Sequence, residues 1–412
     1  MLSGRFDRTG SASVAGLARA GPVGRRVAPL LDDALLFGPL RLWQARRRPR
    51  GHGWLGSPVR EQVYRELWAG AAHACGATLT DLGGSFYELA RDGVVVRVMG
   101  QMTPLDDPVA MRLAGDKGVG LRLLAAAGVP VPDSLAFSLW DLSPAYEMLA
   151  SGGRFVVKPA EGTAGGDGVT GGVRSREDLQ RAAVRAGLFG EQLLLERQVE
   201  GLVHRLLVLD GQLLDVVVDR PAHLVGDGRS TVQELLDDEN DKRVAARGQA
   251  GLELLALDLD LLLALRDSGV TLASVPPAGV EVRVRTVTND RRPVDSRSCT
   301  SVVDDDVVRQ AVAAVSTFGL RLAGVDVVAQ RIDKPLHATD GVVLEVNAAP
   351  GLHRHYQVAN PLQATRVADV LLELLLTEAA VSASRPSRGA GARPPQRPAV
   401  PHLRTAAGSS RR

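Results

Sequence analysis

Cysteine, lysine and long apolar runs are all scarce in this chain of 412 residues. Its two cysteines, Cys75 and Cys299, are too few for a disulfide framework or a cysteine-rich metal cluster. No apolar run reaches the length of a transmembrane helix, and the N-terminus lacks the continuous apolar core of a signal peptide. These absences favour a protein of the reducing cytoplasm without stable membrane insertion.

The balance of charge is also nearly neutral. The 49 basic and 47 acidic residues give a formal charge of +2, which argues against nucleic acid as the main partner. Lysine occupies only four of the basic positions, Lys117, Lys158, Lys242 and Lys334. In a chain that otherwise uses arginine, a retained lysine raises the question of what arginine could not do there. Phosphate binding by a compact ammonium on a flexible stem is the usual answer.

The clearest chemistry lies on two apolar segments that each contain an acid. The segments, 324–328 and 341–347, contain Asp326, Glu345 and Asn347. The polar stretch between them predicts a long hairpin with Asp326 opposite Glu345 and Asn347. Three oxygen-bearing side chains that converge in this way are suited to Mg²⁺. The same pattern also fits two half-exposed strands whose acids are solvated.

A second motif joins a strand lysine to a glycine-rich loop. Residues 154–160 predict an apolar strand that contains Lys158. The loop that follows contains Gly162, Gly165, Gly166 and Gly168. Glycine backbone can point its N–H groups at phosphate oxygens because no Cβ interferes. Such loops are often plain flexible turns, but the lysine directly before this one favours a phosphate-binding lid.

Two helix starts can be read around these motifs. The Asp107-Pro108 pair predicts the start of a helix that contains Lys117. Ser175 and Asp178 have the spacing of a capping box for a later helix.

Charged residues also mark the ends of predicted strands. Glu196 lies at the end of one apolar strand, and Asp210-Gly211 predicts a hairpin with Arg205 at one end and Arg220 at the other. Arg220 precedes a loop that begins with proline, where substrate clamps are common. An ordinary surface arginine would show the same pattern.

Taken in order, these parts resemble an ATP-grasp ligase, and most closely the ATP-grasp half of the cyanophycin synthetases. The resemblance covers roughly residues 95–360, and its most specific stretches are R-P-A-H-L-V-G-D-G-R-S-T at 220–231 and V-P-P-A-G at 275–279. It also includes D-K at 116–117, V-V-K-P at 156–159, E-R-Q-V-E-G at 196–201, A-G-V-D-V-V at 323–328 and E-V-N-A-A-P-G at 345–351.

The resemblance implies an α+β ATP-grasp fold, in which a small N-terminal α/β unit precedes two α+β subdomains that clamp ATP. On this basis we expect a partly helical arm, the small unit, a lid subdomain, a metal and substrate subdomain and a disordered tail, at residues 1–58, 59–116, 117–195, 196–376 and 377–412. The composition of the tail, without apolar periodicity, also predicts disorder.

The resemblance further implies how the nucleotide is held. Lys117 and Lys158 would contact the phosphates of ATP while the glycine-rich loop closes as a lid. Glu196 and the backbone through Val199 would hold the adenine, with His204 near the ribose.

It also implies the metal site and the reaction. Asp326, Glu345 and Asn347 would hold two Mg²⁺ ions, for which Mn²⁺ could substitute. A substrate carboxylate would attack the γ-phosphate to form an acylphosphate, and an amine would then displace phosphate to form an amide. Arg220 would stabilise the developing oxyanion or acylphosphate, with Arg205 supporting the phosphates.

The chain departs from the cyanophycin synthetases in ways that bear on its substrates. It shows no second, Mur-ligase-like half, so we do not expect it to make a two-amino-acid polymer alone. The N-L-S-T-G-G loop of that family reads N-D-R-R-P at 289–293, and Arg291 and Arg292 there suggest an acidic acceptor. The family's R-G-x-G-H stretch reads R-V-A-A-R-G-Q at 243–249 and lacks the histidine.

Three functions remain open at this point. The favoured one is a ligase that joins a small-molecule carboxylate to an amine, such as an amino acid or peptide, with a homodimer or higher homo-oligomer as a compatible state. The second is a ligase that adds an amino acid to a protein or carrier peptide. The third is a nucleotide-binding module without catalysis, which retention of Lys158, Asp326 and Glu345 disfavours.

Overall fold

Residues 58–161, 166–245, 254–286 and 293–384 are described in a computed structural model of the protein. The arm predicted for 1–58 therefore lies outside the described residues except for Pro58. Gly162, Gly165, Arg291 and Arg292 lie outside them as well. No helix in the described ranges combines the length and the apolar character that crossing a membrane would require.

The helices and strands alternate in the order expected of an α+β protein. The helices are α1 (Pro58–Ala74), α2 (Pro108–Ala114), α3 (Lys117–Ala126), α4 (Ser143–Ala150), α5 (Arg176–Gly187), α6 (Val232–Ala245), α7 (Leu259–Asp267), α8 (Asp305–Thr317) and α9 (Val367–Ser384). The strands are β1 (Thr78–Gly83), β2 (Phe86–Arg91), β3 (Val94–Met99), β4 (Ser134–Ser138), β5 (Phe155–Pro159), β6 (Thr170–Val173), β7 (Gln192–Arg197), β8 (Leu202–Leu209), β9 (Gln212–Asp219), β10 (His223–Val225), β11 (Glu281–Arg283), β12 (Ser296–Ser298), β13 (Leu322–Ala329) and β14 (Val342–Asn347).

Within the described residues, three antiparallel sheets and one two-stranded ribbon form the framework. The N-terminal sheet has the order β1-β2-β3, and the second sheet, which we call the lid sheet, has the order β4-β7-β5-β6. The central sheet has the order β12-β9-β8-β13-β14, and β10 pairs with β11. The predicted α+β class is confirmed, whereas the division into five segments stays a prediction.

The central sheet is covered on both faces because its strands are apolar almost throughout. All eight residues of β13 are buried. One face packs against α8 and α3 through residues such as Val325 and Val327, and Leu207 and Leu322 pack with α1, α9 and the N-terminal sheet. A charged group on such a strand therefore needs a partner close by.

The lid sheet has one helix-covered face and one face that meets α3. Phe155, Val157 and Leu195 pack with α4, α5 and α7. Leu194, from the opposite face of β7, packs against Leu121 of α3. Because side chains alternate along a strand, Lys158 and Glu196 lie on the α3 side with Leu194. This places their charges at the junction of the lid sheet and the central sheet.

The helix predicted from Asp107-Pro108 is two helices. Asp107 caps α2, and Asp116 caps α3 through a hydrogen bond from the Val119 N–H to its carboxylate. The second cap ends the first helix and starts a new one, because an aspartate side chain satisfies the free N–H groups of a first turn. As a result Lys117 is the first residue of α3, beside the lid sheet.

The C-terminal helix extends further than the sequence indicated. Helix α9 runs to Ser384, so the first eight residues of the predicted tail, 377–384, are helical. Glu378 in this part accepts hydrogen bonds from Arg321, which also pairs with Asp210 in the β8–β9 turn. The expected disorder of this stretch was wrong: it continues α9, and Ala379 packs against the core that α9 forms with α1 and the N-terminal sheet. The remainder of the tail lies outside the described residues.

Candidate active site

The predicted hairpin forms, and its register places the two acids opposite each other. Asp326 of β13 pairs with Glu345 of β14 on one side and with Arg205 of β8 on the other. Asn347 pairs with Gly324, two residues before Asp326. One row across three strands therefore contains Arg205, Asp326 and Glu345, and Asn347 lies at the next position on the same edge.

Arg205 and Asp326 form a buried ion pair. Their residues are 5% and 7% exposed, and the Arg205 Nη2 donates to Asp326 Oδ2 over 2.5 Å while Nε donates to Oδ1. Two parallel hydrogen bonds are the strongest arrangement of a guanidinium and a carboxylate. Each charge is costly to bury alone, so the pair defines the electrostatics of the site.

Glu345 lies where three positive charges meet. Lys117 Nζ lies 3.4 Å from Glu345 Oε2, and Asn347 Nδ2 donates to Glu345 Oε1 over 3.2 Å. Burial raises the pKa of Glu345, but the charges of Lys117, Lys158 and Arg205 outweigh it and hold that pKa well below its usual range. The carboxylate is therefore ionised at neutral pH.

The two lysines that sequence reasoning singled out reach the same place from different elements. Lys158 on β5 forms an ion pair of 2.6 Å with Glu196 on β7, and both residues are buried. The Lys117 backbone N–H donates to Ala160 O just after β5, which ties the start of α3 to the lid sheet. The structure thus brings Lys117, Lys158 and Glu345 together. It gives Glu196 a partner that the sequence did not indicate.

Two other nucleotide-binding candidates, Val199 and His204, lie just before β8 and on it. Val199 is half-buried between β7 and β8, and His204 is buried on β8 opposite Val327. Burial lowers the pKa of His204 to about 4, so the imidazole is neutral. Because neighbouring strand residues point to opposite faces, His204 lies on the face of the central sheet away from Arg205.

The glycines at the end of the lid loop have structural reasons to be glycine. Gly166 and Gly168 have φ values of 79° and 77°, which side chains rarely adopt. A Cβ on Gly168 would lie 2.8 Å from Phe189 and 2.9 Å from Pro159. The role of these two glycines in binding phosphate stays a prediction.

Arg220 lies at a strand end, as predicted, but in a different environment from Arg205. It follows β9 and pairs with Glu281 of β11 over 2.6 Å, and both side chains are about half exposed. Its backbone N–H donates to Asp295 O. Its proposed role as a substrate clamp stays a prediction.

Sequence reasoning missed a buried pair beside this row. His355, in a 3₁₀ helix at Leu352–His355, and Asp215 of β9 are both 0% exposed, and His355 Nδ1 lies 2.8 Å from Asp215 Oδ2. The hydroxyls of Ser298, Thr300 and Thr365 also donate to this carboxylate. The H-R-H run at 353–355, one residue after E-V-N-A-A-P-G, was a signal that could have drawn attention to His355.

The chemistry of the three predicted ligands fits Mg²⁺. Asp326 and Glu345 supply carboxylate oxygens and Asn347 supplies an amide oxygen, which are the hard ligands this cation prefers. Asn347 already contacts both acids, at 3.5 Å and 3.2 Å. No group of three or more His, Cys, Asp or Glu side chains suited to a metal occurs within the described ranges. A cation here would therefore depend on the amide and on substrate phosphates for further ligands.

No family model matches the chain. Comparison with known proteins nevertheless finds relatives of similar sequence. The chain is similar to a cyanophycin synthetase of Nostoc sp., with 36% identity over 261 residues that make up 63% of this chain and 29% of the relative. It is also similar to the glutathione biosynthesis bifunctional protein GshAB of Enterococcus faecalis, with 32% identity over 286 residues, 67% of this chain and 37% of the relative.

Among solved structures, the chain resembles a bifunctional glutathione synthetase from Pasteurella multocida. The alignment has a TM-score of 0.48 and 25% identity, and it covers 75% of this chain and 44% of that one. The chain spans about a third of the length of the curated relatives it matches.

Proposed function

We propose that this chain is an ATP-grasp protein related to the cyanophycin synthetases and that it is an ATP-dependent carboxylate–amine ligase. The observation that carries the proposal is the convergence of Lys117, Lys158 and Arg205 on Glu345, beside Asp326 and Asn347. Positive charges that meet acids at the junction of two sheets suit a polyphosphate with its cation. The resemblance predicted from the sequence is confirmed by the relatives.

Each of these side chains has a role in positioning and charge neutralisation. Lys117 and Lys158 would bind the phosphates, and Arg205 would support them. Asp326, Glu345 and Asn347 would hold Mg²⁺, which we propose to be two ions that Mn²⁺ can replace. The cation neutralises charge on the transferred phosphoryl group when it is bound.

The remaining candidates would complete the nucleotide and substrate sites. Glu196 and Val199 would hold the adenine and His204 would lie near the ribose. The loop with Gly162, Gly165, Gly166 and Gly168 would close over the phosphates and exclude water, because an acylphosphate hydrolyses when water enters. Arg220 would stabilise the acylphosphate.

The reaction proceeds through two transfers on the substrates. A carboxylate oxygen attacks the γ-phosphorus, and ADP leaves. The amine then attacks the acyl carbon, and the C–O bond to phosphate breaks as the amide forms. We propose that the carboxylate and amine are amino acids or short peptides and that the enzyme works in the cytoplasm, as a homodimer or higher homo-oligomer.

The test is phosphate release from the purified protein with Mg-ATP, scanned against amino acids and short peptides singly and in pairs. We expect release that depends on two substrates, together with a product lighter than their sum by one water by mass spectrometry. ATP binding without release across the panel would overturn a small-molecule ligase and would leave a protein or carrier-peptide acceptor, or a module without catalysis.

Two matched variants test whether ATP turnover depends on the proposed metal site. Glu345→Gln removes a charge while keeping the shape, and we expect it to abolish ATP turnover with the fold intact. Glu373→Gln makes the same change on α9, at the exposed partner of Arg91, and serves as the matched control for loss of a carboxylate. Normal turnover in Glu345→Gln would remove the metal assignment.

A further inference from the structure

The ion pair between Arg205 and Asp326 competes with the proposed use of Asp326. Both oxygens of this carboxylate accept hydrogen bonds from Arg205. A divalent cation on Asp326 would compete for the same oxygens and would repel the guanidinium. Arg205 is buried, so it would then need another acceptor nearby, because a buried charged donor without one is costly.

His355 offers such an acceptor. Its Nε2 is buried and has no hydrogen-bond partner among the described residues. Its Nδ1 faces the Asp215 carboxylate, which three hydroxyls keep in place. A carboxylate can only accept here, so the Nδ1 carries the proton and the Nε2 lone pair is left open. His355 Nε2 is thus an acceptor without a donor among the residues that the structure describes, and the charge of Arg205 acts on His355.

The backbone brings the two groups together. Arg205 lies on β8 and Asp215 on the neighbouring β9, where they occupy positions two residues apart in register. The Arg205 stem crosses Gly324, since a Cβ there would lie 2.9 Å from Arg205 Cδ and 3.1 Å from Pro350 Cβ. The chain from Pro350 leads within five residues to His355, and the 3₁₀ helix that ends there packs over β9.

The charges around His355 keep it a neutral acceptor. Burial lowers the pKa of His355, while Asp215 raises it, and the positive charges of Arg205 and Arg354 lower it further. Two further elements pack against this 3₁₀ helix in the described part of the chain: α1 presents Tyr64 to His353, and α9 presents a backbone N–H to Tyr356, the residue that follows the helix. Asp215 is the acid that contacts His355, and it is already hydrogen-bonded.

We propose that His355 Nε2 is the second acceptor for the Arg205 guanidinium and receives it when Asp326 binds the divalent cation. His355 is then a positioning residue, which acts through Arg205 and frees Asp326 for the metal. The proposal rests on the proposed function, because it needs a cation at Asp326. It predicts that removing the acceptor weakens cation binding even when no reaction takes place.

The test is an EPR-detected titration of the full-length protein with Mn²⁺ in the presence of ADP, against the same titration of ADP alone. His355→Leu keeps the volume but removes the acceptor, and we expect it to weaken Mn²⁺ binding roughly tenfold. His355→Gln, whose side-chain oxygen can accept, should recover much of the loss. Thermal unfolding of each variant confirms that it is folded.

A double-variant cycle excludes a merely structural role. In an Arg205→Met background there is no guanidinium to receive, so His355→Leu should leave Mn²⁺ affinity unchanged. Equal losses in both backgrounds, or no loss in either, would overturn the proposal. If His355→Leu does not fold, Asp215→Asn serves instead, because its amide can donate to Nδ1 and turn Nε2 into a donor.

The outcomes also separate this inference from the proposed function. Wild-type protein that takes up no Mn²⁺ beyond the ADP control would contradict the metal site itself. Wild-type uptake that is independent of His355 would contradict only the role of His355.

Discussion

Arg205 and Arg220 belong to one hairpin, with Arg205 inside β8 and Arg220 directly after β9, and their surroundings differ. Arg205 is buried with Asp326, whereas Arg220 and its partner Glu281 are about half exposed. Burial makes the first pair costly to break, whereas solvent screens the charges of the second. An arginine–carboxylate pair in the interior constrains the fold and the site together, while an exposed pair leaves its arginine available for a substrate.

The largest expected difference lies in stability. Asp326→Ala leaves the buried Arg205 charge without its carboxylate partner, so we expect the free energy of unfolding to fall by about 3–5 kcal/mol. Glu281→Ala, which removes the exposed partner of Arg220, should leave it nearly unchanged. Denaturant unfolding of both variants measures the contrast.

A charge-free replacement of the pair controls for packing. Arg205→Met with Asp326→Leu should recover most of the stability lost in Asp326→Ala, because a well-packed apolar pair is often as stable as a buried ion pair. A double variant as unstable as Asp326→Ala would show that the loss comes from packing rather than from an unpaired charge.

The same comparison shows what could be read from the sequence. The hairpin register was predictable because alternation along two apolar strands determines which residues face each other. Arg205 was predicted at a strand end but lies inside β8. Its pairing with Asp326 was not predicted, since the two lie 121 positions apart in the chain. A local pattern indicates strands and faces, whereas partners across a sheet depend on strand order.

The contacts that the sequence did not predict also join residues that are far apart in the chain. Asp215 and His355 are 140 positions apart, and Lys158 was read only as a phosphate ligand because nothing near it in sequence indicates Glu196 as its partner. The break between α2 and α3 was readable, since Asp116 has the form of a helix cap. Local signals for caps are reliable where an aspartate precedes a helical stretch.

The next largest effect is on activity, and it concerns Arg220 rather than Arg205. Arg220→Ala should keep nucleotide binding and stability but reduce ligation by roughly 100-fold, because it removes a charge that stabilises the acylphosphate. Phosphate release with both substrates measures ligation, and a fluorescent ATP analogue measures binding. Unchanged ligation would exclude Arg220 from the reaction and leave it as a surface residue.

The pH dependence of the free energy of unfolding tests another buried residue, His204. Its pKa is lowered to about 4, from an ordinary value near 6.5, so the unfolded chain takes up the proton more readily than the folded one. The stabilising contribution is complete above the unfolded pKa and declines as the pH falls towards 4. By linkage, about 2 kcal/mol of it is lost at pH 5.

Denaturant unfolding between pH 7 and pH 4 measures this contribution. His204→Gln has no group that titrates there, so its stability should change less with pH than that of the wild type. Parallel curves for the two proteins would show that the imidazole is accessible to protons in the folded state.

The smallest effect is expected where both members of an ion network are well exposed, at the end of α9. Glu378 lies beside Arg321 with side chains 44% and 35% exposed, so their interaction should contribute below about 1 kcal/mol. Deleting 378–412 removes this interaction and the last turns of the helix, whereas deleting 385–412 keeps them. The difference in melting temperature between the two truncations isolates residues 378–384. A small downward shift that Glu378→Gln reproduces in part would place this pair with Arg220 and Glu281, among contacts that solvent weakens, and a large one would show that α9 anchors the central sheet.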